Sequence, residues 1–400
     1  MNHFSDVAIV GAGPYGLSLA AHLRPTRLSL RIFGCPMQTW RQHMPQGMAL
    51  KSDGFASSLS DPTRSFTLGH FCAEQGIPYH DAKVPVSLET FVAYGVAFQK
   101  RFVPDLEETQ VRAIKKNAAG YCLRLANGNE AHARNVILAV GITHFGYVPA
   151  ELSGLPGGFV SHSSAYGPVE HLRGKKVTIV GAGASAADLA AALQEQRIDV
   201  TIVARQPIFR FHDRPGVVLR SLWYRIRRPS SGLGPGLTSR FYADLPGLFR
   251  YLPQDLRLRV VRTALGPAGS WVVKERIVDH VPMLLGRSIR RTEVIDGQIH
   301  LLLSAQDGSQ TEYVTDHVIA ATGYRMDLRR LTFLSDEIRS RLRALEHTPI
   351  LSKNFESSLP GLFFVGMAAA NTFGPVLRFV FGTQFTARRV TSALHDRGRG

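Results

Sequence analysis

Two glycine-rich segments of this chain have the residue types and spacing that bind the pyrophosphate of a dinucleotide. In such a turn the first glycine allows a tight bend, the second lets backbone N–H groups approach the phosphates, and the third position must be small so that helix and strand can pack. Each segment follows an apolar stretch and precedes a run typical of a helix. Together they predict two dinucleotide sites, with the three positions at Gly11, Gly13 and Gly16 in the first and at Gly181, Gly183 and Ala186 in the second.

The helices that follow the two turns would complete these sites. A helix N-terminus carries a partial positive charge and unpaired N–H groups, which attract phosphate. Pro14 and Tyr15 open the first helix and Ser185 opens the second. We therefore include these three residues among the predicted cofactor-binding residues.

The two units differ where their second strands end. An acid at this place, about 20 residues after the glycines, usually accepts the ribose hydroxyls. The first unit instead has Phe33 and Gly34, so adenosine would have to be bound by backbone groups or by the loop with Trp40 and Arg41. The second unit has Arg205, whose guanidinium suits the 2′-phosphate of NADPH. A surface arginine without this role is the alternative.

Length and hydrophobic periodicity predict two domains. The 400 residues exceed the roughly 250 to 300 at which a single core stops growing. The predicted fold class is α/β, with two Rossmann-type dinucleotide-binding domains, the second inserted into the first. We expect the first domain to comprise 1–165 and 318–400 and the inserted domain 166–317. Within them we predict helices around 66–75 and 88–102, a β-meander over 105–140 and a buried strand over 314–321.

A basic excursion over 206–290 interrupts the second unit. The chain has a formal charge of +16, and the segment from Gln206 to Arg291 contains 16 arginines or lysines against 5 aspartates or glutamates. Such a field favours anionic partners, with an ordinary solvated surface as the alternative. We expect an amphipathic helix over 255–265 that packs on the inserted domain; contact with a membrane surface or a partner is the other interpretation. Its predicted basic side is Arg257, Arg259 and Arg262, and its predicted apolar side is Leu256, Val260 and Ala264.

Several classes of protein and of site do not fit the sequence. No apolar stretch is long enough to span a bilayer and no signal peptide is recognisable, so we expect a soluble, cytoplasmic protein. Cys35, Cys72 and Cys122 include no C-x-x-C pair, which argues against a disulfide framework and a dithiol redox centre. The histidines are scattered, so no metal site is predicted. No nucleic-acid recognition motif accompanies the positive charge.

Taken together, these residues resemble the flavoprotein monooxygenases with two dinucleotide-binding domains, which include flavin-containing monooxygenases and amino-acid N-hydroxylases. The spacing of Gly158, His162 and Tyr166 is similar to the signature that precedes their second fingerprint, although Pro156 replaces its leading Phe. The strings M-P-x-G-M-x-L-K-S and F-G-P-x-x-R-F look closest to bacterial enzymes of the FAD-dependent urate hydroxylase type. The resemblance adds five residues to the predicted cofactor sites, at strand ends and in the C-terminal loop: Gly141, Thr322, Gly323, Gly366 and Phe373.

The resemblance implies FAD at the first site, NADPH at the second, and transfer of one oxygen atom from O2 through a C4a-hydroperoxyflavin to a small, anionic substrate. Amino-acid N-hydroxylation and purine-type ring hydroxylation are equally compatible with it. His162, Arg378 and Lys51 are the candidate catalytic residues, the last two as holders of the anionic group. The alternative is an NADPH-dependent flavin oxidoreductase that transfers no oxygen. A homo-oligomer is compatible with either interpretation.

Overall fold

A computed structural model describes residues 4–212, 229–264, 266 and 268–397. Within these residues five helices have ten residues or more: one after each fingerprint, two that flank the core and one in the basic excursion. The helices are α1 (Pro14–Leu23), α2 (Gln38–Gln42), α3 (Leu68–Glu74), α4 (Leu88–Phe102), α5 (Ala150–Ser153), α6 (Ala184–Glu195), α7 (Leu237–Asp244), α8 (Pro246–Phe249), α9 (Gln254–Thr263), α10 (Trp271–Ile277), α11 (Asp336–Arg341), α12 (Ala370–Phe373) and α13 (Thr383–Arg397).

The strands form two larger parallel or mixed sheets and two small antiparallel ones. They are β1 (Phe4–Val10), β2 (Leu30–Phe33), β3 (Val111–Asn117), β4 (Gly120–Leu125), β5 (Glu130–Leu138), β6 (Val160–His162), β7 (Lys176–Val180), β8 (Asp199–Ala204), β9 (Met283–Leu285), β10 (Ser288–Ile295), β11 (Gln298–Ser304), β12 (Gln310–Thr315), β13 (His317–Ala320), β14 (Ala344–Leu345), β15 (Thr348–Pro349) and β16 (Leu362–Phe364).

The first sheet is built on the first fingerprint. Strand β1 lies between β2 and β5 in parallel, and β16 from the C-terminal part of the chain pairs with the other side of β5. The early residues of β5 also pair antiparallel with β4, which continues to β3 as the predicted meander. Because β1, β5 and β16 are parallel, the residues that follow them meet at one edge of the sheet. Two separate parts of the chain therefore build the first domain, as expected.

The second sheet is entirely parallel, in the order β6-β13-β7-β8-β9. Its inner strands β13, β7 and β8 are mostly apolar and buried, as expected for strands covered on both faces. Both β6, which begins at Val160, and β13, which ends at Ala320, pair within this sheet. Strand pairing therefore makes the inserted domain slightly longer than expected. It begins a few residues before 165 and ends a few residues after 318.

The strand predicted over 314–321 is two strands. Residues of β12 pair antiparallel in the small sheet β10-β11-β12, whereas β13 belongs to the parallel sheet. Asp316 separates them, and its carboxylate accepts the Lys176 N–H at 2.8 Å. A continuous apolar pattern could not show that the two halves have different partners.

The part of the basic excursion over 229–264 packs on the first domain, so the expectation that the helix over 255–265 packs on the inserted domain is wrong. Phe209, Val273 and Ile277 of the excursion do belong to the core of the inserted domain. Leu233 and Ala243 belong to the apolar core of the first domain. A Cβ added at Gly374 would meet the Phe249 ring at 3.1 Å, and one at Gly232 would meet the Phe381 ring. The aromatic side chains around Phe381 and Phe385 offer apolar surface that the excursion covers. Residues 213–228 of the excursion lie outside the described residues.

The sides predicted for the helix over 255–265 are wrong in part, although Arg259 and Arg262 are exposed as expected. The helix, α9, buries Leu258, while Leu256 on the expected apolar side is exposed. Arg257 is half-buried and donates to the Asn371 carbonyl oxygen at 3.0 Å. The contacts with α12 decide the orientation of this helix, which its own weak pattern does not.

No helix in the described part of the chain combines the length and the apolar character needed to cross a bilayer.

Candidate functional site

The first fingerprint forms a tight turn at the carboxyl edge of the first sheet. Gly11 has φ +111°, and a Cβ on it would meet the Ala139 carbonyl oxygen at 2.3 Å. A Cβ on Gly16 would overlap the Gly11 carbonyl oxygen, at 1.8 Å. Gly13 differs, because a Cβ there would meet nothing within 4 Å. Gly11 and Gly16 are therefore required by packing, whereas Gly13 leaves room for a ligand.

The N-terminus of α1 has no internal partner at this turn. Gly13 is the N-cap and Pro14 the first helical residue, and no side chain caps the helix or places an acid in its first turn. The backbone N–H groups and the positive end of the helix thus face the open space beside Gly13. This cradle fits the pyrophosphate of FAD.

Tyr15 connects the fingerprint to the C-terminal part of the first domain. Its hydroxyl donates to the carbonyl oxygens of Leu377 and Phe379, at 2.9 and 3.0 Å. Burial raises the pKa of the Tyr15 phenol, which therefore stays neutral. A Cβ on Gly366 would lie 3.5 Å from its ring, so the residues after β16 lie beside the first fingerprint.

The end of β2 has no acid of its own, but another part of the chain supplies one nearby. The Gly34 N–H donates to the Glu107 carbonyl oxygen at 3.0 Å, and Glu107 bridges in parallel to Phe33. Both Glu107 carboxylate oxygens accept from the Arg31 guanidinium, at 2.7 and 2.8 Å. Sequence reasoning missed Glu107, since it lies more than 70 residues after the strand that it joins.

The other residues predicted for the first site surround this edge. Trp40 is half-buried, edge-on to Phe91, and Arg41 is exposed. Gly141 has φ +68° and lies near Thr39 of α2. Phe373 is buried and stacks on Phe355 with ring centroids 4.1 Å apart, so the structure gives it a packing role.

The second fingerprint repeats the geometry at the edge of the second sheet. A Cβ on Gly181, which has φ +139°, would meet the Ala321 carbonyl oxygen at 2.4 Å. Gly183 caps α6 with no side-chain hydrogen bond, and no acid lies in the first turn. Ser185 is half-buried in that turn and Ala186 is fully buried. The cradle fits a second pyrophosphate.

Arg205 follows β8 at the same edge. It is exposed, and within the part of the chain that the structure describes it forms no hydrogen bond or ion pair. A free guanidinium at this place is available for a phosphate.

His162 joins the two chain crossings between the domains. Its Nδ1 accepts the Ser164 N–H at 3.1 Å, so Nε2 carries the proton and donates to the Gly323 carbonyl oxygen at 2.9 Å. Burial lowers the pKa of this imidazole, which is therefore neutral. The hydroxyl of Thr322, which precedes Gly323, donates to the Tyr147 carbonyl oxygen. With both ring nitrogens occupied, His162 positions these segments and has no free nitrogen for proton transfer.

The other two residues of that signature meet a histidine that sequence reasoning missed. His317 Nδ1 donates to the Gly158 carbonyl oxygen at 3.1 Å, and its Nε2 lies 2.8 Å from both the Tyr166 hydroxyl and the Ser161 hydroxyl. This network lies at the start of β13, at the opposite edge of the sheet from Gly323. Its role is to fix β6 and β13.

Lys51 is in an ion pair between the two domains. Its ammonium contacts the carboxylate of Asp188 on α6, only one turn after the second fingerprint. The Asp188 side chain is 3% exposed, and its second oxygen, Oδ1, has no hydrogen-bond partner among the described residues. Burial raises the pKa of this carboxyl, and Lys51 opposes the rise. Lys51 is thus committed to Asp188, not free for a substrate anion.

Arg378 lies on the loop after α12. It donates to the Val261 carbonyl oxygen of α9 at 3.1 Å. The side chain is solvent-accessible, yet the protein around it lowers the pKa of the guanidinium through desolvation. A side chain that reaches solvent and is also desolvated by its neighbours fits a concave part of the surface.

Within the described residues, one group has the ligand types of a metal site, on the outer meander: Cys122, Glu130 and His132, with ligand atoms within 4.8 Å of one another. It lies on β4 and β5, away from the two fingerprints. The expectation of no metal stays a prediction.

Curated relatives include both reductases and monooxygenases. The chain is 30% identical to a ferredoxin–NADP reductase from Paramagnetospirillum magneticum over 285 residues, which is 67% of this chain and 77% of the relative. It is 26% identical to an indole-3-pyruvate monooxygenase from Oryza sativa subsp. japonica, covering 80% and 77%. A FAD-dependent urate hydroxylase from Xanthomonas campestris is 31% identical over 222 residues, covering 52% of this chain and 45% of that one.

Solved structures match nearly the whole chain. An ornithine hydroxylase from Pseudomonas aeruginosa has a TM-score of 0.76 and 18% identity, covering 98% of this chain and 99% of that one. A cadaverine monooxygenase from Erwinia amylovora, solved with FAD bound, has a TM-score of 0.74 and 19% identity, covering 98% and 95%.

The solved structures confirm the predicted α/β fold class. The curated relatives that are monooxygenases confirm the resemblance to the two-domain flavoproteins. The family model for the pyridine nucleotide-disulphide oxidoreductases matches residues 8–226, more than half of the chain and including both fingerprints. The chain therefore belongs to the pyridine nucleotide-disulphide oxidoreductase family.

Proposed function

We propose that this protein is an FAD- and NADPH-dependent monooxygenase that hydroxylates the nitrogen of a small amine. The observation that carries the proposal is the pair of open helix N-termini, at Gly13 and Gly183, in a chain without a dithiol to receive electrons. Bound FAD, once reduced by NADPH, supplies the chemistry that activates O2.

The protein's own residues bind and position the reactants. The cradle at Gly13 would hold the FAD pyrophosphate, with Gly11 and Gly16 shaping the turn. The cradle at Gly183 would hold the NADPH pyrophosphate, and Arg205 would hold its 2′-phosphate. His162 would keep the crossing segments in place and exchange no proton, because both of its ring nitrogens are occupied.

The relatives and structural neighbours support an amine as the substrate. The enzymes in the two matched structures are an ornithine hydroxylase and a cadaverine monooxygenase, and each match covers 98% of this chain. Ring hydroxylation of a purine is the second oxygenase reaction, supported by the shorter match to the urate hydroxylase. We place the enzyme in the cytoplasm, where unpaired cysteines such as Cys35 and Cys72 stay reduced.

The competing function is NADPH-dependent reduction without oxygen transfer. It is favoured by the 30% identity to a ferredoxin–NADP reductase over 77% of that enzyme. Reduction of a protein or quinone needs no dithiol in this chain, so the absent C-x-x-C does not exclude it.

The two functions differ in where the oxygen goes. FAD-loaded protein is incubated with NADPH and labelled O2, with and without L-lysine, cadaverine, L-ornithine or a purine. A hydroxylamine or hydroxylated ring containing the label would support the monooxygenase. NADPH oxidation that needs ferredoxin or a quinone, continues under nitrogen gas and labels no product would establish the reductase instead.

A further inference from the structure

Three arginines lie in the region where the basic excursion covers the first domain. Helices α8 and α9 of the excursion both contact α12, which follows β16 at the edge of the first sheet. Arg250 directly follows α8, Arg257 lies on α9, and Arg378 lies on the loop after α12. Elements far apart in the chain therefore bring positive charge to one place beside the first fingerprint.

One buried donor on each of two of these arginines has no acceptor among the described residues. Arg250 Nη1 and Arg257 Nε are buried and have no hydrogen-bond partner among the described residues. The charge of Arg250 adds to burial in lowering the pKa of Arg257. Buried guanidinium groups that repel each other and have unsatisfied donors are unfavourable by themselves and become favourable when an anion joins them.

The acceptors that these arginines do have are backbone carbonyls. Arg257 donates to Asn371 and Arg378 donates to Val261, the residue one turn after Arg257 on α9. Within the described ranges none of the three arginines forms an ion pair with a carboxylate, whereas Arg262 on the same helix pairs with Glu346. A ligand carboxylate could supply the acceptor that the described residues do not provide.

We propose that Arg250, Arg257 and Arg378 form a recognition site for the carboxylate of an amino-acid substrate. The planar fork of a guanidinium matches a carboxylate through two parallel hydrogen bonds. Lys51, the other candidate, is held by Asp188. The assignment rests on the proposed amine hydroxylation, and it makes the basic excursion part of the substrate site.

L-lysine and cadaverine test the assignment, because they differ only by the carboxylate. The FAD-loaded enzyme should have a lower KM for L-lysine than for cadaverine. Loss of one charge-assisted contact in Arg257→Gln should raise the KM for L-lysine by at least about tenfold and leave that for cadaverine nearly unchanged. Arg250→Gln should act in the same direction.

Two further variants separate recognition from folding. Arg259→Ala removes an exposed arginine from the same helix and should change neither KM. Arg257→Lys keeps the charge without the fork, so it should recover folding and only part of the affinity for L-lysine. Calorimetric titration of each variant with L-lysine, cadaverine and inorganic phosphate measures binding without turnover.

The possible outcomes distinguish this inference from the proposed function. Hydroxylation of both amines with equal KM values, unchanged in Arg257→Gln, would overturn the carboxylate site and leave the monooxygenase standing. Binding of L-lysine that depends on Arg257, without hydroxylamine from any amine, would support the site and reject the function. Phosphate binding as tight as that of L-lysine, with the same dependence on Arg257, would overturn the assignment to a substrate carboxylate.

Discussion

The two dinucleotide units share one local design and differ in how the rest of the chain surrounds them. Each has a strand, a glycine turn and an uncapped helix N-terminus. In the first unit Tyr15 bonds to the C-terminal loop, and the Glu107 segment covers the edge of β2. In the second unit the corresponding edge ends in Arg205, which is exposed and has no partner among the described residues.

This difference indicates which cofactor remains bound between turnovers and which one binds and leaves in each turnover. A site tied into distant parts of the chain releases its ligand only when several contacts open together, whereas an exposed site allows repeated binding and release. On the proposed function, the first unit retains FAD through many turnovers and the second unit binds and releases NADPH. Four experiments test that contrast, in order of decreasing expected effect.

The largest effect should come from Gly13→Val, which should abolish FAD retention and leave a colourless, folded protein. The backbone angles of Gly13 are extended and a Cβ there would meet no atom within 4 Å, so the substitution should take space from the pyrophosphate and not from the protein. Gly183→Val should keep bound FAD, and with it the yellow colour, but its flavin should no longer be reduced by NADPH. Absorbance and circular dichroism measure both, with Gly154→Ala as the control. Full flavin content in Gly13→Val would contradict the assignment of the first site.

Breaking the ion pair that joins the units should have the next largest effect. Lys51→Met leaves the buried Asp188 carboxylate without its cation, which should cost about 3 kcal/mol of stability at neutral pH. Burial raises the pKa of Asp188, so at lower pH the carboxyl takes a proton and needs no cation. The deficit should therefore shrink as the pH falls from 8 to 5. Denaturant unfolding at both pH values measures it; Lys100→Met is the exposed control, and an equal deficit at both pH values would refute the explanation.

Arg205→Ala should weaken the use of NADPH and spare NADH. Loss of a charge-assisted contact to the 2′-phosphate costs about 1.5 to 3 kcal/mol, which is roughly one to two decades in KM for NADPH. Steady-state kinetics with both coenzymes test this, and Arg210→Ala provides an exposed arginine of the same segment as control. An equal loss with NADH would mean that Arg205 serves the fold and does not select the coenzyme.

His162→Ala should have the smallest effect, a loss of about 1 to 2 kcal/mol from two hydrogen bonds at the crossing segments. Because burial lowers the pKa of His162 in the folded protein, the wild type loses this stability as the pH falls below the unfolded value of about 6.5. The difference in the free energy of unfolding between wild type and variant should therefore become smaller from pH 7 to pH 5. Thermal unfolding measured from pH 7 to pH 5 tests this, with His280→Ala as the exposed control. A stability difference that stays constant over this pH range would mean that the His162 imidazole does not titrate within it.

The sequence predicted the parts of the fold that local spacing encodes. The fingerprints place their glycines at the turns, and the helix predicted over 88–102 is present with those bounds as α4. The buried parallel strands and the insertion of one unit into the other also follow from periodicity and from the order of the motifs. The residue-by-residue roles at both sites stay predictions.

The sequence could not reveal contacts between residues that are distant in the chain. Glu107 beside β2, His317 beneath the signature residues and Asp188 opposite Lys51 lie 70 or more residues from the residues that they contact. Their types are ordinary surface or core types, and no local spacing marks them.

The amino-acid sequence by itself determined that two dinucleotide units exist, because a glycine turn between strand and helix depends on conformations that only neighbouring residues set. Tertiary structure alone decided which charged groups are free. Lys51 is neutralised by Asp188, while Arg250 and Arg257 each keep a donor without a partner among the described residues. The reason is physical: burial and the distance between charges fix the energy of a charged group, and both depend on the packing of remote segments.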